Sequence, residues 1–388
     1  MSWPEKIVVG AAVTALAVSL LFFIDLQPGI YSPDIVITPE PPNSHGQAAL
    51  LFALEKDLVL QSLEKNYTVK SSILKSWYDS YFRIYTQREE LAPNTARIRE
   101  YLNNTAKNIE RSAVNARLAL DEESKLIEIR SPKNGTKLDN DRSVINIITA
   151  LAQGQSTVEL VLTTYEPEIT LEKAFLLGIK KLLGSGVSNF VGSSHARINN
   201  IKIGSAVFNG TVLSPGDEFS FNSALGPVDG ENGYKRELVI KNNKLIPEFG
   251  GGLCQVSTTV FRAAVNAGLP IVERHPHSLP VRYYNPQGFD AAIYPEVSDL
   301  KFKNDTPGHL LIQGEVLGST LSFEIYGSDD DRKVTVEGPH TYESSPDGSL
   351  KTWLKRVITR SDGSQKKDMF YSSYKSPSLF PTVRNPLE

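Results

Sequence analysis

Phe249-Gly250-Gly251-Gly252-Leu253-Cys254-Gln255-Val256-Ser257-Thr258-Thr259 is the stretch on which the reading of this 388-residue chain turns. Three consecutive glycines lose much conformational freedom on ordering, so they make sense where backbone takes positive φ or approaches something closely. From Cys254 to Ala267 the pattern is helical, with Val256, Val260, Ala263, Ala264 and Ala267 on one face. Gly268 stops the helix and Pro270 enforces the stop. Cys254 therefore sits at or near a helix amino end beside a glycine loop. Free N–H groups and the helix dipole there stabilise a thiolate and lower its pKa. The same N–H groups, around Gly250, Gly251, Gly252 and Gln255, can hold an oxyanion.

Downstream, Ile271-Val272-Glu273-Arg274-His275-Pro276-His277-Ser278-Leu279-Pro280-Val281 reads as extended, and period two puts His275 and His277 on one face. After the Asn285-Pro286-Gln287-Gly288 turn, a second extended run carries Asp290. Cys254 as nucleophile, His277 or His275 as base and Asp290 as orienting acid make up the inventory of covalent acyl transfer. Cys254, His275, His277 and Asp290 are also ligand types for zinc, but their spacing is unlike short zinc motifs. No metal or other cofactor is expected. The order of Cys on a helix start, then His and Asp on strands, looks like a transglutaminase or papain-like core, a fold analogy that does not fix function.

The chain carries 41 Lys plus Arg against 44 Asp plus Glu, a net charge of −3. That balance argues against a nucleic acid partner, which needs a local excess of cations. With 40% hydrophobic and 22% charged residues the chain can bury a normal core. A single cysteine excludes an intrachain disulfide.

Residues 7–24 read IVVGAAVTALAVSLLFFI, without a formal charge. As a helix they extend about 27 Å, close to the roughly 30 Å of a bilayer core. The run ends in Phe22-Phe23-Ile24-Asp25 with no small pair behind it, unlike a cleaved signal peptide. Residues 1–26 are thus expected to be a cytoplasmic tip and single-pass transmembrane anchor, with the later domains extracytoplasmic. Residues 27–46, with five prolines, are expected to form an extended linker. Residues 47–93 are expected to be helical: Leu50, Leu51, Leu54, Leu58 and Leu63 have helical spacing, as do Tyr78, Tyr81, Phe82 and Tyr85. Residues 94–170 suggest a small α+β module, its first helix starting at Pro93-Asn94-Thr95 with Thr95 as cap, and a later one over 142–154. A strand is expected over 157–164. The Gly-rich run 178–192 is expected to end in a turn, and Phe219 to Asn222 to be a strand. Residues 331–388 read as a β-rich extension.

Residues 94–170 resemble the peptidoglycan-binding module that precedes catalytic domains in several Gram-positive cell-wall proteins. The features are Val114-Asn115-Ala116, Gly135 with Leu138-Asp139, and the Ala150–Gly154 helix end. Residues 176–330 resemble, more specifically, the VanW family, named from vancomycin-resistance clusters. The likeness rests on Arg197 with Asn199-Asn200-Ile201, on 209–216 (NGTVLSPG), on Phe219-Ser220-Phe221-Asn222, Gly226-Pro227 and Asn232-Gly233-Tyr234. It continues through Gly250 to Thr259, Ala267-Gly268-Leu269, Glu273 to Val281, Asp290-Ala291 and Phe302-Lys303-Asn304. A terminal G5-type repeat is not recognisable. The resemblance implies an α+β domain, a helix packed on a mainly antiparallel sheet, in an envelope protein whose partner is peptidoglycan or another wall polymer. The reading is an enzyme working through Cys254; the alternative is a non-catalytic wall-binding or scaffold protein in which the same loop forms a ligand groove.

Overall fold

The structure, a computed structural model, describes residues 44–379 apart from 64, 86, 242 and 243. The described residues divide into two compact units, one built from 44–60, 67–97 and 144–158, the other from 61–66, 98–143 and 159 onward. The chain is α+β. One sequence expectation is corrected here: among the described residues no helix is long and apolar enough to cross a membrane. The expected span, residues 7–24, and most of the Pro-rich linker lie outside the described residues.

The first unit opens with the helix Ser44–Leu54, and the chain turns to strand at Leu58, so the leucine spacing overruns the helix. Its interior holds Leu50, Leu58, Leu60, Val69, Leu74 and Trp77. The tyrosine run is not a helix. Tyr78–Arg83 is a strand paired with Arg88–Pro93 in an antiparallel hairpin. Aromatic residues favour strands, and the i, i+3, i+4 spacing arose on a segment too short to decide between the two periods. Asn94, rather than Thr95, caps the next helix: its Oδ1 accepts from the Arg97 N–H at 3.2 Å.

The expected strand over 157–164 is broken into Thr157–Glu159 and Leu162–Tyr165. A four-stranded antiparallel sheet follows, in the order Lys181–Asn189, Thr320–Gly327, Leu310–Leu317, Thr211–Leu213. The Gly-rich run is therefore largely a strand, and its glycines have a packing reason. A Cβ on Gly186 would lie 2.2 Å from the Thr259 carbonyl oxygen. The helix Leu253–Asn266, which carries Cys254, packs its backbone directly on this strand. Arg262 donates from Nη1 to Val187 O at 2.8 Å, and Asn266 from Nδ2 to Ser185 O at 2.7 Å.

Phe219 belongs to a strand, Glu218–Ser220, but Phe221 already begins a short helix, Phe221–Leu225, capped by Ser220. That strand joins a second sheet with Lys301–Lys303 in the middle and Ile271–Glu273 beyond. The core between these elements is one cluster that includes Phe208, Phe219, Phe221, Phe261, Phe302 and Phe323, all buried. The C-terminal segment is an antiparallel meander, Lys333–Ser344, Leu350–Thr359 and Gln365–Tyr374. It is tied to the Cys254 helix: buried Arg356 donates to Val265 O and Leu269 O, at the helix's carboxyl end. That placement suits a cation, since unpaired carbonyls there carry partial negative charge.

Candidate active site

Gly252 has φ of 113°, a left-handed conformation that glycine adopts freely, and it starts the helix Leu253–Asn266. Cys254 is the second helical residue. Its N–H lies in the first turn, where no acceptor exists within the helix. The thiol points at the segment that follows Asp290: Sγ donates to Ile293 O at 3.5 Å. One turn on, Thr258 accepts from Ala291 N at 3.1 Å. The i, i+4 pair thus fixes the helix against the 290–293 segment.

That segment pairs antiparallel with the histidine run through a single bridge, His275 to Ala292. His and Asp therefore come from an irregular two-segment ladder between the strands Ile271–Glu273 and Lys301–Lys303, and not from the four-stranded sheet. The bridge brings His277 onto Asp290. Nδ1 lies 2.5 Å from Asp290 Oδ2, and the His277 backbone N–H donates to the same oxygen at 2.8 Å. The other oxygen, Oδ1, accepts from Tyr374 OH at 2.5 Å and from Arg274 Nη2 at 3.1 Å. Asp290 is fully buried. The ring of His277 stacks on Tyr284, centroids 4.0 Å apart and planes 13° apart.

His277 Nε2 is buried and has no hydrogen-bond partner among the described residues. It and Cys254 line the same cavity of about 610 Å³. No hydrogen bond of ordinary geometry joins the thiol and the ring in this conformation, yet the two are near enough for each to shift the other's pKa. Burial works against the imidazolium, yet Asp290 and the nearby sulfur outweigh it and hold the His277 pKa at about 9. Burial likewise opposes the thiolate, and the charged ring overcomes it, so the Cys254 pKa is lowered. Burial would raise the Asp290 pKa, but His277 and Arg274 hold the carboxyl far below the usual range. Each shift favours the charged form of its group, thiolate for Cys254, imidazolium for His277 and carboxylate for Asp290.

His275 goes elsewhere. Its Nε2 lies 3.2 Å from Glu273 Oε1 at the surface. Alternation along the strand does not hold across Pro276, and the two rings share no partner. Gly250, Gly251 and Gly252 line the cavity floor. Gln255 does not line it: the side chain is buried, accepts from Arg197 Nη2 at 2.7 Å and donates to Asn189 O at 2.9 Å. No cluster of metal-ligating side chains occurs among the described residues.

Three residues of the site had no part in the sequence assignment. Arg274 and Tyr374 hold Asp290, and Tyr284 covers the His277 ring. Arg274 was open to notice beside His275, since a buried carboxylate needs a cation. Tyr374 lies 84 residues from Asp290, and no local pattern marks it.

The chain matches two family models: "VanW like protein" over residues 196–326 and "Putative peptidoglycan binding domain" over residues 61–159. It is 33% identical over 177 residues to protein YoaR of Bacillus subtilis (strain 168), covering 46% of this chain and 58% of that one. It is 33% identical over 115 residues to the vancomycin B-type resistance protein VanW of Enterococcus faecalis, covering 28% and 42%. The chain thus spans about half the length of these relatives. A mutant of the Enterococcus faecium L,D-transpeptidase aligns with a TM-score of 0.22 and 12% identity, over 36% of this chain and 50% of that one, a likeness too low to carry an argument. The two family matches and the two relatives support a domain of the VanW type over residues 196–326 and a module of the peptidoglycan-binding type over residues 61–159.

Proposed function

We propose that this chain is a cysteine-dependent acyl-transfer enzyme of the cell wall, acting on amide bonds of peptidoglycan stem peptides outside the membrane. The observation that carries the reading is the buried His277–Asp290 pair, whose free Nε2 shares a cavity with a thiol at a helix start. The thiolate of Cys254 attacks the carbonyl carbon. The oxyanion is held by the Cys254 N–H, since its first-turn neighbours are engaged, Leu253 N–H with Gly250 O and Gln255 N–H with Gly252 O. His277 gives its Nε2 proton to the departing amine, and Asp290 keeps the ring oriented and charged. Water or a second amine then attacks the thioester, returns a proton to His277 and frees the thiolate. The peptidoglycan-binding module, in this reading, holds the enzyme on its polymer.

The test is incubation of the full chain with muropeptides, followed by intact-mass and product analysis. A covalent acyl adduct and an altered muropeptide, both lost in Cys254→Ala, are the expected outcome. Unchanged muropeptides together with tight binding to wall polymer would instead make the protein a scaffold.

A further inference from the structure

Arg197 lies in the helix His195–Phe208 and is 3% exposed. A buried guanidinium is normally paired with a carboxylate, because its desolvation is otherwise uncompensated. Arg197 has none among the described residues. Its Nη2 donates to the neutral Gln255 Oε1, its plane lies 4.4 Å over the Tyr283 ring, and Nε has no acceptor. The residue lines the same cavity as Cys254 and His277. Its charge is felt at the thiol, where it works to lower the Cys254 pKa. The group is also held in place. Gln255 is anchored on Ser188 Oγ and Asn189 O, and Ser188 is bonded to Thr259 of the Cys254 helix.

We infer that Arg197 is the anchor for a substrate carboxylate, so that the acyl donor is a peptide ending in a free α-carboxylate one residue beyond the bond Cys254 attacks. The inference rests on the nucleophilic role of Cys254 given above. In the step itself, the C–S bond forms and the C–N bond breaks. The proton from His277 Nε2 goes to the leaving nitrogen, so the leaving group is a free amino acid whose carboxylate stays on Arg197 until release. Water, or an amine in transfer, then cleaves the thioester. An anchored carboxylate also selects: an interior amide places no negative charge beside the guanidinium, and the cation stays buried without a partner.

Two small probes separate the claims on the full chain. Iodoacetate carries a carboxylate and iodoacetamide does not, and both alkylate a thiolate. The expected result is an iodoacetate-to-iodoacetamide rate ratio at Cys254 that falls about tenfold, or about 1.4 kcal/mol, in Arg197→Met. Gln255→Glu gives Arg197 a carboxylate in place of the amide and lowers the ratio in the same direction without removing a buried side chain. Arg197→Lys retains part of the preference. With peptides, wild type acylates on a free-acid end and not on the same sequence ending in a carboxamide. A ratio unchanged in both Arg197→Met and Gln255→Glu, or equal acylation of acid and amide peptides, overturns the anchor while leaving the nucleophile standing. A thiol that reacts with neither reagent overturns the nucleophile itself.

Discussion

His277 Nδ1 and Asp290 Oδ2 are 2.5 Å apart, and Asp290 has no exposed surface. A buried carboxylate that serves an imidazole, an arginine and a tyrosine at once is more than a strand-end acceptor. It sets the tautomer and the charge of the ring that faces Cys254.

Replacing that carboxylate should therefore have two separable effects. Asp290→Asn leaves the buried Arg274 its carbonyl acceptors, Asp290 O and Tyr371 O, but no carboxylate, which is expected to destabilise the chain by about 3–5 kcal/mol. It also lowers the His277 pKa and with it the thiolate fraction at Cys254, so alkylation at neutral pH slows by about tenfold, a factor worth about 1.36 kcal/mol. Urea unfolding reads the first effect and iodoacetamide kinetics the second. Full retention of both would show that Asp290 is a bystander.

The stability profile with pH carries a definite sign. The folded pKa of His277, about 9, lies above its ordinary 6.5. The stabilisation is complete below about 6.5 and is lost as pH rises through the folded value. Cys254 acts in the opposite sense: its lowered pKa contributes stability above the ordinary 9.0 that is lost as pH falls through the folded value. In Cys254→Ser, where only the histidine contribution remains, Tm should fall as pH rises above about 6.5. In the further variant His277→Gln that slope should disappear. A slope surviving His277→Gln assigns the effect to another group.

The C-terminal meander should matter to the site although it lies far away in sequence. Tyr374→Phe removes a hydrogen bond to a charged oxygen and the acceptor of the Gly288 N–H. The expected loss is about 2 kcal/mol, with slower alkylation of Cys254 beyond what the lost stability explains. Thermal unfolding unchanged in Tyr374→Phe would detach the meander from the site.

Gly186→Ala tests the seat of the Cys254 helix. The added methyl would meet the Thr259 carbonyl at 2.2 Å, so strand and helix must part. A destabilisation of about 1–3 kcal/mol is expected from overpacking, measured by chemical denaturation. A neutral substitution would mean that the helix rests on the strand less closely than described.

The sequence carried a good part of this. Three glycines before an apolar helical stripe located the Cys254 helix, whose range, Leu253–Asn266, lies one residue from the expected start and end. Cys254, His277 and Asp290 stood out in the sequence as residue types suited to covalent catalysis, and the structure sets His277 on Asp290 and lines one cavity with Cys254 and His277. Which histidine meets Asp290 was not, because Pro276 interrupts the alternation that would place both rings together. Gln255 looked available for an oxyanion but is consumed by Arg197, Ser188 and Asn189, a fact of packing invisible along the chain. Tyr78 to Tyr85 misled because helical and strand periods coincide over a few residues, and the pairing of Tyr78 with Pro93 decided it.

The most direct measurement is the rate of iodoacetamide alkylation of the full chain against pH, read by intact mass, since Cys254 is the single cysteine. The expected curve has its inflection below the ordinary thiol value of 9.0 and moves up in His277→Gln. An inflection at the ordinary value in both proteins, or a folded chain whose thiol reacts at no pH, would contradict a thiolate held by His277.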